Sequence, residues 1–136
     1  MRIAALILWS GTAAIGVYLL IAWLSRGGVR QPPAKVTRYP VIPLTAHPVL
    51  ALTGLGLWIR YLAGGGLVYA WAAFGLLCAS ALLGFILLTR WFIGIGGKHA
   101  RDTGSHHGFW VVLLHGLAGM ATFALVLITA ANMRHR

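Results

Sequence analysis

Two histidines, His47 and His115, stand inside long apolar runs of the chain, where a polar side chain is costly unless it finds a partner. A neutral imidazole carries one N–H donor and one bare lone pair, so it can ligate a metal or hydrogen-bond a neighbouring helix. The other four histidines, His99, His106, His107 and His135, fall in polar loops or the tail, where a solvated side chain is the default. His99, His106 and His107 could gather round a metal, but Asp102 is the one carboxylate near them and no thiolate is close. Asp102, Ser105 and His106 share one short loop and do not build a triad, whose members must converge in space. The glycines between Gly94 and Gly97 follow an apolar helix instead of a strand, which sets them apart from a phosphate-cradling loop.

The rest of the composition narrows the chemistry. Of 136 residues, 60% are hydrophobic and 9% are charged, against about a quarter charged in an ordinary soluble domain. Lipid must therefore be the solvent for most of the surface. Asp102 is the single acid, which excludes carboxylate-pair hydrolysis, carboxylate-bridged metals and acid-based proton relays. Cys78 is the single cysteine, so an intrachain disulfide, a thiolate cluster and covalent haem attachment are excluded as well. It reads as a small packing residue. The net charge of +10 could suggest nucleic acid, but the basic residues sit between apolar runs. That placement suits contact with anionic lipid headgroups, and no nucleic-acid partner is expected.

A helix needs about 20 apolar residues to cross the hydrocarbon, and four runs qualify: about 3–24, 41–62, 67–89 and 108–131. The first follows Arg2 and could be taken for a secretory signal. It is longer than the usual ~7–15-residue core of one and lacks a small-x-small cleavage site, so a retained span is expected. Gly27, Gly28, Pro32 and Pro33 mark the loop after it, Gly64-Gly65-Gly66 a tight turn, and Gly94–His107 a second basic loop. Pro40, Pro43 and Pro48 blur the start of the second span, because proline disfavours helix at the residue before it. Short connections favour antiparallel neighbours. The expected fold is all-α: one polytopic domain, residues 1–136, folded as an up-down-up-down bundle of four transmembrane helices.

Sidedness follows from the basic residues. Arg26, Arg30, Lys35, Arg38, Arg90, Lys98 and Arg101 lie on the side of the two long loops, and Arg2, Arg60, Arg134 and Arg136 on the other. The positive-inside rule then places both long loops in the cytoplasm and both termini outside, in a bacterial inner or plasma membrane. The six tryptophans, at 9, 23, 58, 71, 91 and 110, fall mostly near span ends and read as an interfacial belt.

A shift of 68 residues lays Gly16 on Gly84, Trp23 on Trp91, His47 on His115, Leu19-Leu20 on Leu87-Leu88, and Arg30 on Lys98. Each half then reads as span, basic loop, histidine-bearing span. Such a parallel repeat has its axis along the membrane normal and sets His47 opposite His115. The second and fourth spans run in one direction and sit diagonally in a simple bundle, with each histidine about one turn before the middle of its span. Two neutral imidazoles facing each other at matched depth are what six-coordinate haem iron requires. Gly54 lies seven residues beyond His47, and Gly119 and Thr122 lie four and seven beyond His115. These, with Gly16 and Gly84, would let a flat macrocycle approach the backbone. Arg38, Arg101, Lys98, His106 and His107 stand where haem propionates would reach the nearer surface.

In its four-span plan and its two intramembrane histidines, the chain resembles the four-helix membrane b-type cytochromes. The resemblance implies His47 and His115 as axial ligands of haem b. It also implies single-electron transfer with quinones, dehydrogenases or a larger respiratory complex: an electron-transfer component, as opposed to a stand-alone hydrolase or transferase. Many members hold two haems, whereas this chain has no second buried pair and so implies one at most.

Four other readings stand beside it. Either imidazole could simply hydrogen-bond a backbone carbonyl, or a hydroxyl such as that of Thr45, Thr53 or Thr122, across helices. His47-Pro48 could instead mark a helix start and bring His47 to the interface. The small size, short loops and lack of catalytic groups also suit an accessory or assembly subunit of a membrane complex. A transporter or channel would require several copies, because one four-span chain offers little wall for a pathway.

Overall fold

The computed structural model describes residues 1–25, 41–95 and 106–132. They form four helices: α1 (Arg2–Ser25), α2 (Val41–Leu62), α3 (Leu67–Ile95) and α4 (His106–Asn132), with no strand among the described residues. Each helix contains a segment long and apolar enough to cross a membrane. The protein is an all-α, four-helix integral membrane protein. α2 packs chiefly on α3 and α1 on α4, with lighter α1–α2 and α3–α4 contacts. The diagonal pairs α1–α3 and α2–α4 barely touch, as in an up-down-up-down bundle.

α3 and α4 run furthest past the expected spans. α3 runs 29 residues to Ile95, about 43 Å at ~1.5 Å per residue, against a hydrocarbon core of about 30 Å. Arg90 ends the stretch that lipid tails can cover, but a charge does not end a helix, and α3 continues into the headgroup region. α4 starts at His106, so His106 and His107 belong to a helix and not to the loop. At the other end of α3, the glycine turn forms as the sequence suggests. Gly64 takes φ +93°, a left-handed conformation that suits glycine, and the Gly65 N–H bonds the Arg60 carbonyl at 3.1 Å.

The prolines do not displace the start of α2. The helix begins at Val41, so Pro43 lies in the first turn, where no intrahelical N–H is required. Pro48 lies within the helix. His47 therefore sits well inside α2, away from its first turn.

The core corrects the reading of the tryptophans. Trp9 and Trp58 are fully buried, 6.5 Å apart between ring centres, and Trp58 Nε1 donates to the Arg2 carbonyl at 3.3 Å. A wide ring can lie between these helices because Gly54 leaves room for it. A Cβ on Gly54 would fall 3.0 Å from Trp9 and 3.3 Å from the Ala73 carbonyl. Tyr61, Ala5, Ala70, Ala73, Leu77 and Val126 complete the packed cluster. Trp110, 64% exposed, matches the belt reading.

All buried residues lie between the histidines and the end of the bundle that carries the glycine turn. On the long-loop side of the histidine level, no described residue of any helix is buried. The buried core is thus confined to the tryptophan end of the bundle. Trp58→Ala should cost about 3–5 kcal/mol, as truncation of a buried Trp typically does, and sharply lower the thermal midpoint in detergent. Trp110→Ala should leave that midpoint near wild type.

Candidate functional site: a histidine pair across the bundle

His47 on α2 and His115 on α4 meet across the bundle axis. Their ring centres are 6.1 Å apart and their planes are inclined at 81°. Both rings are half-buried. The depth match expected from the two spans is therefore realised.

Each ring is fixed by the helix beside it. His47 Nδ1 is 2.8 Å from the Ser80 carbonyl on α3, and His115 Nδ1 is 3.1 Å from the Thr12 carbonyl on α1. A carbonyl oxygen only accepts, so Nδ1 must carry the proton in both rings. The neutral tautomer is thereby set, and the Nε2 lone pair is bare. No hydrogen bond to either Nε2 occurs among the described residues. Every buried side-chain nitrogen and oxygen among them has a partner, so both Nε2 atoms keep accessible surface.

Glycine makes this approach possible. A Cβ at Gly84 would stand 2.9 Å from His47 Cε1, and a Cβ at Gly16 would stand 2.9 Å from His115 Cε1. Both glycines receive an imidazole edge, which accounts for them without a macrocycle. Gly54 is filled by Trp9. Gly119 is more open, with Thr12 Cγ2 the nearest atom to its Cβ position at 3.9 Å. Arg38, Arg101 and Lys98 lie outside the described residues, and the side chains of His106 and His107 are likewise outside them.

The contacts obey the 68-residue shift. His115 on Gly16 and Thr12 repeats His47 on Gly84 and Ser80, with α1 replacing α3 and α4 replacing α2. Burial follows the same rule in the pairs Ala5 and Ala73, Trp9 and Leu77, Trp58 and Val126, and Tyr61 and Thr129. Thr12 and Ser80 are the site residues that sequence reasoning missed. The signal was present, since the shift lays one hydroxyl residue on the other.

The two halves differ in one respect. Ser80 Oγ lies 3.1 Å from His47 Nδ1 and donates to the His47 carbonyl at 3.0 Å. The Thr12 hydroxyl turns away from His115, donating to Leu8 O at 2.8 Å and lying 3.2 Å from Thr122 Oγ1.

A histidine that only bonded a carbonyl would be a packing residue, as one of the other readings expects. Here both rings use the same nitrogen for that bond, leave the same nitrogen bare, and meet. A ligating histidine commonly donates its second N–H to a carbonyl in this way, which fixes the ring and raises its basicity. Imidazole–metal bonds of about 2 Å, with about 1 Å more from nitrogen to ring centre, call for ring centres about 6 Å apart. The pair has that separation. Among the described residues there is no group of three or more His, Cys, Asp or Glu, so a metal caged by protein alone is not built here. What the pair offers is two imidazole donors, one from each side of the bundle axis.

Comparison with known protein families, with characterised proteins and with solved structures finds no match to this chain. The tautomers give a direct check on the geometry. In protein labelled with 15N-histidine and free of added metal or haem, the ring nitrogen shifts of His47 and His115, assigned by His→Gln replacement, should both report Nδ1–H with a bare Nε2. An Nε2–H tautomer at either position would contradict the hydrogen bonds described.

Proposed function

We propose that this protein is a membrane b-type cytochrome or electron-transfer subunit, holding one haem b between His47 and His115. The observation that carries the reading is the pair of carbonyl-anchored rings, 6.1 Å apart, each with a bare Nε2. When bound, the haem supplies a one-electron iron couple, which none of the protein side chains near the pair can provide. The chain's own residues do the rest: Ser80 and Thr12 orient the rings, Gly84 and Gly16 admit them, and the Trp9–Trp58 core closes the bundle below them. On this reading the macrocycle lies toward the long loops, the half of the bundle in which no described residue is buried. Arg38, Arg101 and Lys98 are the cations by which propionates would be met.

The reading includes a plasma or bacterial inner membrane, both long loops in the cytoplasm, and anionic lipid as the surrounding partner. It also includes a quinone or a larger redox complex as the source or sink of electrons, and leaves room for an oligomer.

Two experiments test it. Wild-type protein purified after haem-replete expression should be coloured, and its reduced-minus-oxidised spectrum should have the bands of a six-coordinate b-type haem. His47→Ala and His115→Ala should each abolish that spectrum while the protein still inserts in the membrane. A colourless wild type, or full haem retention by both variants, would refute the proposal. For sidedness, Gly28→Cys in a Cys78→Ala background should react with an impermeant maleimide only once the cytoplasmic face is opened. Labelling of intact cells would reverse the topology.

A further inference from the structure

The two ring anchors are not equivalent, and the difference resides in one hydroxyl. The Nδ1–H of His47 faces two acceptors on Ser80, the carbonyl at 2.8 Å and Oγ at 3.1 Å. The Nδ1–H of His115 faces one, the Thr12 carbonyl at 3.1 Å, because the Thr12 hydroxyl turns away from the ring, donates to Leu8 O and lies beside Thr122 Oγ1. Ser80 is held in its pose: it is 2% exposed, and its own proton goes to the His47 carbonyl. Its oxygen lone pairs are thus the part of the hydroxyl left for the ring.

We infer that Ser80 is a positioning residue that makes His47 the more electron-rich ligand of the pair and thereby lowers the reduction potential of the bound haem. This rests on the haem reading above. Hydrogen bonds from a ligand's remote N–H raise its basicity, and a more basic axial imidazole stabilises the ferric over the ferrous state. The surroundings amplify the effect, since a hydrogen bond in a low-dielectric interior is electrostatically stronger than one in water. Among the described residues no charged side chain contacts this pair. The neighbours of the His47 ring among them are Ser80, Gly84 and His115.

The test is a potentiometric titration of the haem-loaded wild type, Ser80→Ala and Thr129→Ala. Thr129 is a buried hydroxyl on α4 that bonds only its own helix, at Leu125 O, far from the rings. Ser80→Ala should keep its haem six-coordinate and shift the midpoint to more positive potential, with a matching change in the ferric low-spin EPR signal; Thr129→Ala should shift neither. Ser80→Cys, close to serine in size but a weak acceptor, should shift the midpoint the same way and serves if Ser80→Ala accumulates poorly. An unshifted midpoint in haem-loaded Ser80→Ala or Ser80→Cys overturns this inference and leaves the haem reading standing. A wild type that takes up no haem overturns both.

Discussion

An imidazole placed in hydrocarbon must give its N–H to something, and in this protein that single demand organises the bundle. Water is absent at that depth, and an unpaired donor there costs several kcal/mol. The acceptors are backbone carbonyls of residues within neighbouring helices, Ser80 and Thr12, each of which has a second lone pair beyond its own helical bond. A side chain reaches such a carbonyl only if the neighbouring helix presents almost no surface at that point. Gly84 and Gly16, one turn further on, meet that condition. The hydrogen bond, the close approach and the glycine are thus one constraint in three parts, and it fixes which nitrogen of each ring is left for chemistry.

The constraint appears twice, related by a shift of half the chain. The α1–α4 and α2–α3 interfaces are built alike around their histidines, and the buried positions near the glycine turn fall in register. A two-fold arrangement is the simplest way to bring two like side chains to one level, since whatever sets the depth of one sets the depth of the other. The halves then depart from each other in particular residues. Trp9 stands where Leu77 does, so the packing beneath the site is weighted toward α1 and α2. Ser80 stands where Thr12 does, and threonine, bonding back to its own helix, leaves its ring with a single acceptor.

Much of this was legible from sequence, because lipid makes the signals strong. Four apolar runs fix four helices. Proline and glycine fix the turns, and the absence of acids removes whole classes of catalysis. The histidine pair was legible from depth and direction alone. What was not legible depended on rotation about helix axes. The four helices are apolar all round, so no stripe announces which face turns inward. Trp9 and Trp58 therefore read as interfacial when they are core, and Gly54 and Gly16 could be assigned to a macrocycle when their nearest neighbours are Trp9 and His115. The extension of α3 past Arg90 escaped for a different reason, since hydropathy marks where lipid tails end and is silent on where the helix stops.

The central claim is that one iron atom lies between these two imidazoles, bonded to both. Pulsed EPR on oxidised, haem-loaded protein labelled with 15N-histidine tests it most directly. Couplings to two histidine nitrogens, with one lost in His47→Met and the other in His115→Met, are the predicted result. Coupling to a single histidine nitrogen, or to none, would contradict the account.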